Sequence, residues 1–330
     1  SHSRRPAPTD AGSDRIALGD IGSHSMRLVM YRDYGRYPFP LFNERVTVKL
    51  GQGLDKTGCL DPERVKLALR AIQRFAQILK PLQPDQVVII ATAALRRAEN
   101  AASFIDPAEQ ILGHKVQVIS AAEEARLVTL GLTANMPTID GLVADLGGGS
   151  LELVLVSSGQ VDHAVSLNIG HLSTRPKAEI KEMVAQVPWL KEAKGRVLYG
   201  IGGSFRALGS AFVATTAYPL HLLHGLQITP KHRKTLLKRI RTGDDLSGIP
   251  AGRRATIGTA AAIVTEVFRQ AKTGALVISG TSIRDGLVAD LTPNQFAEED
   301  LLTLTCGQIA RQSQRSPDLN ESLNKMLAPV

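Results

Sequence analysis

The chain has 330 residues, 43% of them hydrophobic and 21% charged, the balance of a globular protein about two domains long, which excludes fibrous and disordered classes. A net charge of +8 favours an anionic partner without choosing among nucleic acid, an acidic membrane surface and an anionic metabolite; yet aromatic residues at 4% leave few stacking platforms for single strands, and no run approaches the roughly 18 apolar residues of a membrane helix. Cys59 and Cys306 are the two cysteines, too few for a disulfide framework or a four-thiolate metal site, and they read as unpaired thiols of a reducing cytoplasm.

Residues 1–13 are polar and carry no apolar segment, so no secretory signal is expected there, only a disordered or appended leader. Residues 16–20 (IALGD) read as a buried strand ending in a polar loop, and residues 25–31 as the return strand of a hairpin. A third strand is expected over 44–50, where Val46 and Val48 alternate with polar residues, before Gly51-Gln52-Gly53 turns the chain. Asp61 and Pro62 open a helix as N-cap and first helical residue. Its apolar positions from Val65 to Leu79 keep the helical period, and Pro81 and Pro84 are expected to end it. Residues 86–91 (QVVIIA) read as a buried parallel strand, 100–112 as a helix, 116–119 as a strand and 121–135 as a helix closed by Pro137.

The order then restarts. Residues 141–145 (GLVAD) are a strand ending in Asp145 and a glycine loop, 151–157 the return strand and 160–166 a third. This repeats the opening strand–loop–strand module and marks an internal duplication. It divides the chain into a first lobe over 14–137 and a second over 138–292, with a terminal helix and tail over 293–330. Within the second lobe, 197–201 and 275–279 read as strands followed by glycine turns, and 229–241 and 255–271 as helices. Strands alternating with helices make the fold class α/β. Two such copies facing each other leave a cleft lined by both Asp–Gly loops.

Several clusters carry chemistry. In residues 19–25 (GDIGSHS), Gly22 lets backbone N–H groups approach an anion, Ser23 and Ser25 add donors, and Asp20 is placed to orient a metal-bound water; an ordinary hairpin turn accounts for the same residues. Asp145 is followed by Gly147, Gly148, Gly149, Ser150 and then Glu152. Three consecutive glycines suit a phosphate cradle, and the paired carboxylates offer the hard oxygens that Mg²⁺ prefers. Glu123 and Glu124 open the helix at 121, where a carboxylate is placed to activate water or merely to complement the helix dipole. Arg96 and Arg97 follow a strand end and are suited to a phosphoryl group or to solvent. Gly202, Gly203 and Ser204 form another strand-to-helix turn, fit for an anion or for tight packing. Lys231, Lys234, Lys238 and Arg241 share one helix face, opposite Leu236, Leu237 and Ile240; the face is a track for a polyanion or a solvated surface. Arg253, Arg254 and Arg284 are further cationic candidates. No histidine spacing suggests a metal-binding helix, and His24, His221 and His224 read as polar or structural.

Together these segments resemble the exopolyphosphatase/guanosine pentaphosphate phosphatase family of the actin, sugar-kinase and chaperone-ATPase superfamily. The likeness spans residues 16–291 and rests on an ordered set: DIGSHSMRLV (20–29), KLGQGLDKTGCL (49–60), ATAALRRAEN (91–100), VISAAEEARL (118–127), DLGGGSLELV (145–154), GIGGS (200–204) and SGTSIRDGL (279–287). The resemblance implies two ribonuclease-H-like, actin-like lobes with the active site between them. It implies Glu124 as catalytic base, Arg96 as a phosphate contact, and Asp145 and Glu152 as carboxylates associated with Mg²⁺, with Mn²⁺ as an alternative. Asp20, Gly22, Ser23 and Ser25 match the first phosphate loop; Gly147, Gly148, Gly149 and Ser150 match the second. His24 stands where the family usually has Asn, Ala121 replaces a frequent Gly, and residues 258–261 (GTAA) replace a Pro-Gly-Gly run. The additional C-terminal helical domains of long members are not expected, which makes this a short two-domain form.

The expected activity is metal-dependent hydrolysis of the terminal phosphate of inorganic polyphosphate in the cytoplasm. The alternative is hydrolysis of guanosine pentaphosphate, the nucleotide of the stringent response. A rival of another class is a non-catalytic guanosine tetraphosphate sensor. No nucleic-acid or membrane partner is expected; a homodimer is a further candidate assembly.

Overall fold

The structure, a computed structural model, describes residues 15–32, 39–136, 138–216, 218–243 and 247–291. The expected leader, Pro137, Cys306 and the expected terminal helix and tail lie outside the described residues.

The first lobe runs β1 (Arg15–Ile21), β2 (Ser25–Arg32), β3 (Phe39–Thr47), α1 (Leu54–Thr57), α2 (Pro62–Leu82), β4 (Gln86–Ala91), α3 (Ala93–Arg97), α4 (Ala102–Leu112), β5 (Val116–Val118) and α5 (Ala121–Asn135). The second runs β6 (Gly141–Leu146), β7 (Leu151–Ser157), β8 (Gln160–Leu167), α6 (Lys177–Ala185), β9 (Val197–Ile201), α7 (Gly202–Thr216), β10 (Leu226–Ile228), α8 (Pro230–Thr242), α9 (Ile257–Ala271), β11 (Leu276–Ile278) and α10 (Ile283–Leu291).

The duplication is visible in the pairing. One sheet has the order β3-β2-β1-β4-β5; the other, read the same way, has β8-β7-β6-β9-β11-β10. In each, an antiparallel three-stranded meander precedes two strands that run parallel to its first strand, and the second sheet adds the antiparallel edge strand β10. This is the two-lobed α/β architecture that the resemblance implies. The same register recurs as well: Asp20 pairs with Arg27 across β1 and β2, and Asp145 with Glu152 across β6 and β7. Directly opposed residues of an antiparallel pair share a face, so each hairpin presents its Asp beside a residue seven positions later.

Each lobe has its own apolar core. A third core joins them: Ile16, Leu18 and Ile90 from one sheet and Val143, Val154 and Ile201 from the other flank Leu127 and Leu132 of α5 and Leu287 and Val288 of α10. The helix pair crosses at backbone contact. A Cβ on Gly286 would lie 1.8 Å from the Leu127 carbonyl oxygen, and one on Gly131 would lie 2.6 Å from the Gly286 nitrogen.

Two expectations are corrected. Pro81 does not end α2, which continues one residue to Leu82 and closes at Gln83 in left-handed conformation (φ 41°); the proline forgoes its own amide bond, but only one helical residue follows it. The third strand occupies Phe39–Thr47, not 44–50: beyond Thr47, the amides of Val48 and Lys49 both turn to the His24 carbonyl (3.2 and 2.8 Å). Finally, α10 was not foreseen, since Gly286 interrupts its helical pattern; the glycine is there because of the crossing with α5.

Candidate active site

Both Asp loops close in the same way. Gly22 N–H donates to the Ser25 carbonyl (3.1 Å) and Gly147 N–H to the Ser150 carbonyl (3.0 Å). Asp20, Gly22, Ser23 and Ser25 from one loop, with Asp145, Gly147, Gly148 and Ser150 from the other, line one cleft between the lobes, together with Glu124, Gly202 and Gly203. Gly202 has φ +92°, and a Cβ there would meet the Asp145 carboxylate at 2.6 Å, so the turn into α7 needs glycine beside that acid.

The N-terminus of α5 separates its two acids. Ser120 caps the helix by accepting from Glu123 N–H (3.1 Å). Glu123 then points outward, where Arg126 donates to both of its oxygens at 2.8 Å and holds its carboxyl below the usual range. Glu124 turns inward and is 8% exposed. Its Oε2 accepts from Arg96 Nη1 at 3.0 Å, and the same nitrogen donates to the Ile119 carbonyl at 3.0 Å.

Four acids lie close enough here to feel one another's charge. Burial pushes Glu124 up to about 7 against the pull of Arg96, and the charges of Asp145 and Asp20 add to the rise. Burial likewise raises Asp145 to about 6, opposed by Arg206 and helped by Asp20. Glu152 goes well above the ordinary range, through burial first and then Glu124 and Asp145; hydrogen bonds from Ser150 and Ser166 oppose it. Asp20 is raised by burial, with Arg284, which donates to its Oδ2 at 3.0 Å, as the chief counterweight. Mutual repulsion among buried carboxylates is relieved by a cation, and all-oxygen donors suit a hard divalent ion. Among the described residues no three Asp, Glu, His or Cys side chains converge as a complete ligand set. Asp145 and Glu152, opposed across β6 and β7, supply only two carboxylates, so an ion held by them would need waters or substrate oxygens to complete its shell.

Against the acids stands a set of arginines: Arg27, Arg45, Arg206, Arg253 and Arg284 all line the cleft. Sequence reasoning singled out Arg253 and Arg284 but missed the others. Arg27 was within reach of it, since the spacing that sets Glu152 opposite Asp145 also sets Arg27 opposite Asp20. Two histidines also meet across the cleft, His24 Nδ1 lying 3.1 Å from His171 Nε2. His171 Nδ1 is 3.2 Å from Ser204 Oγ, and Arg253 Nη1 is 2.9 Å from His171 Nε2. Burial first, then Arg253, lowers both rings, His24 to about 4, so both are neutral near pH 7.

Other expected residues are placed differently. Glu152 lies behind the cleft wall, its Oε1 accepting from Ser166 Oγ at 2.9 Å, and Ser204 is buried against His171. Nη1 of Arg96 donates to both Glu124 and Ile119, and Arg96 does not line the cleft. Lys231, Lys234, Lys238 and Arg241 are exposed on α8 and none lines the cleft. Among the described residues no helix is long and apolar enough to cross a membrane.

The model of the Ppx/GppA phosphatase family matches residues 29–295. Solved structures share the fold. An exopolyphosphatase from Cytophaga hutchinsonii is 22% identical with a TM-score of 0.74, over 84% of this chain and 98% of that one. An exopolyphosphatase-like protein is 28% identical with a TM-score of 0.71, over 86% and 99%. The Aquifex aeolicus member of the Ppx/GppA family is 22% identical with a TM-score of 0.65, over 87% and 100%.

Proposed function

The chain belongs to the Ppx/GppA phosphatase family, and on that premise we propose that it is an exopolyphosphatase, hydrolysing the terminal phosphoanhydride bond of inorganic polyphosphate with Glu124 as general base. One observation carries this reading: a carboxylate raised to about 7 lines the same cleft as two glycine loops and five arginines. A base works best when its pKa is near the working pH.

In this reading the terminal phosphoryl group sits between the two loops, where backbone N–H groups and the hydroxyls of Ser23, Ser25 and Ser150 meet its oxygens. The arginines offset the charge of the next phosphates. Glu124 takes a proton from the attacking water as its oxygen bonds to phosphorus and the bridging oxygen leaves with the shortened chain. Arg96 holds the Glu124 carboxylate in place. Asp145 and, through it, Glu152 would hold Mg²⁺ or Mn²⁺, which when bound neutralises phosphate charge. Phosphoryl transfer depends mainly on such positioning and charge stabilisation.

The test is phosphate release, side by side, from long polyphosphate, short polyphosphate, guanosine pentaphosphate and ATP. Preferred turnover of polyphosphate supports the reading; preferred turnover of guanosine pentaphosphate, or binding of guanosine tetraphosphate with no turnover of any substrate, replaces it.

A further inference from the structure

Outside the catalytic acids, a half-buried polar cluster joins the lobes at the second glycine loop. Arg97, at the end of α3, donates from Nη2 to Asp55 Oδ1 at 2.8 Å and from Nη1 to the Gly149 carbonyl at 3.2 Å. Asp55, in α1, uses its other oxygen to accept from Ser173 Oγ at 2.8 Å. Asp55 and Arg97 belong to the first lobe, Gly149 and Ser173 to the second. Both charged side chains are mostly withdrawn from water (14% and 18% exposed), where a charge-assisted pair is strong and its loss is costly.

The carbonyls of the second glycine loop are all held, but by different means. Gly147 and Gly148 accept from the amides of His171 and Leu172 (3.1 and 3.0 Å), within their own lobe. Gly149 is held by a side chain reaching across from the other lobe. In a trans peptide the carbonyl and the following N–H point in opposite directions. Fixing the Gly149 carbonyl toward Arg97 therefore turns the Ser150 N–H away from Arg97, and Ser150 lines the cleft. The two loops also touch here: a Cβ on Gly149 would lie 2.7 Å from Ser23 Oγ. An unsupported run of three glycines has many backbone conformations to lose, so an external tie has a specific task.

We propose that Arg97 and Asp55 form an inter-lobe latch that positions the second glycine loop, so that its Ser150 peptide is set for a phosphoryl group only when the lobes are closed on each other. Arg97 is thus a positioning residue: it acts through Gly149 and does not itself touch substrate. The proposal rests on the cleft being the phosphatase site, and its test keeps the two apart.

Arg97→Met, Arg97→Lys, Asp55→Asn and the Arg97→Met/Asp55→Asn pair are compared with wild type in kcat and KM on short polyphosphate, and in amide hydrogen exchange at residues 147–151. Arg97→Met is expected to lower kcat about 10- to 100-fold, the scale of small misplacements, with KM changed less, and to speed exchange at 147–151 while α5 and β7 beyond Leu151 stay protected. Arg97→Lys should recover part of the loss, since a single ammonium satisfies one acceptor but not both. The double variant should be no worse than Arg97→Met, as expected of residues acting as one unit. Wild-type kcat in Arg97→Met, or a loss matched by faster exchange throughout both lobes, overturns the latch. Should wild type release no phosphate from polyphosphate, the functional reading fails while the exchange at 147–151 still decides: faster in Arg97→Met upholds the latch, unchanged removes it.

Discussion

Arg96 Nη1 and Glu124 Oε2 meet at 3.0 Å across the start of α5, and Glu124 nonetheless stands near neutrality, because burial outweighs the guanidinium beside it. Its neighbour Glu123, one residue earlier and bound by Arg126 at the surface, is held below the usual carboxylate range. Two adjacent acids thus differ because the helix turns one into the cleft and the other into solvent.

That difference predicts opposite outcomes for two matched substitutions. Glu124→Gln keeps the shape and removes the base, so kcat should fall by roughly 10²–10⁴, the usual contribution of general acid–base catalysis, with KM little changed. Glu123→Gln should leave kcat close to wild type. Steady-state kinetics on polyphosphate decides, and equal losses in the two variants would refute the assignment.

Titration of the same acid gives an activity limb. The base must be ionised, so kcat/KM should rise with pH through a midpoint near 7, an apparent value shared with the coupled Asp145 and Glu152. Stability should move the other way. A carboxyl whose folded pKa is raised binds more protons in the folded state, so folding weakens as pH rises from the ordinary carboxylate range toward the folded value. His24, His171 and His224, whose folded values are lowered, act in the opposite sense until their unfolded rings have lost their protons, about one pH unit above 6.5. Beyond that pH the raised carboxylates, Glu152 foremost, set the trend. The metal-free protein should therefore melt at lower temperature at pH 8.5 than at pH 7.5. A melting temperature that climbs over that interval would contradict the carboxylate cluster.

A divalent ion should reverse that fall. Chelator-treated protein is expected to lose activity, and Mg²⁺ or Mn²⁺ to restore both activity and melting temperature at pH 8, because the ion offsets the repulsion among Asp20, Glu124, Asp145 and Glu152. Asp145→Asn should raise the ion concentration needed for half-activation. Full turnover after exhaustive chelation would remove the metal from the reading.

How much of this was legible depends on whether a contact is local. Asp145 and Glu152 were readable as a pair because a tight hairpin turns a seven-residue spacing into direct opposition. The same arithmetic reaches Arg27 from Asp20. Periodicity placed Lys231, Lys234, Lys238 and Arg241 on one side of a helix, but it cannot say which side of the protein that helix faces. Arg45 and His171 arrive at the cleft from β3 and the segment after β8, where nothing nearby in sequence marks the meeting, whereas Arg206 follows the glycine turn at 202–204 by two residues on α7.

The helix crossing tests the frame that holds the cleft. Gly286→Ala would set a methyl group 1.8 Å from the Leu127 carbonyl, backbone on both sides, so neither helix can yield by a side-chain rotation. The overpacking should cost about 1–3 kcal/mol, read from denaturant unfolding. A neutral result would mean that α5 and α10 separate easily.

The last expectation concerns long substrates. Lys231, Lys234 and Lys238 are exposed on α8, while Leu236, Leu237 and Ile240 are buried beneath them, and none of the three lysines lines the cleft. Any role for this face must therefore come from chain that extends beyond the cleft. A polyanion lying along it would displace counterions, and its binding would weaken steeply with salt, as for other linear polyanions. Short polyphosphate reaches only the loops and does not sample α8. Lys234→Gln/Lys238→Gln should thus weaken long-chain binding at low salt, flatten its salt dependence and spare short-chain turnover. A cleft-only mode of binding predicts the same salt slope for wild type and the double variant, because the arginines around the loops are untouched. Salt titrations of long- and short-chain binding separate the two modes directly: parallel slopes assign α8 to the solvated surface, and a flatter slope confined to long chains assigns it to the substrate path.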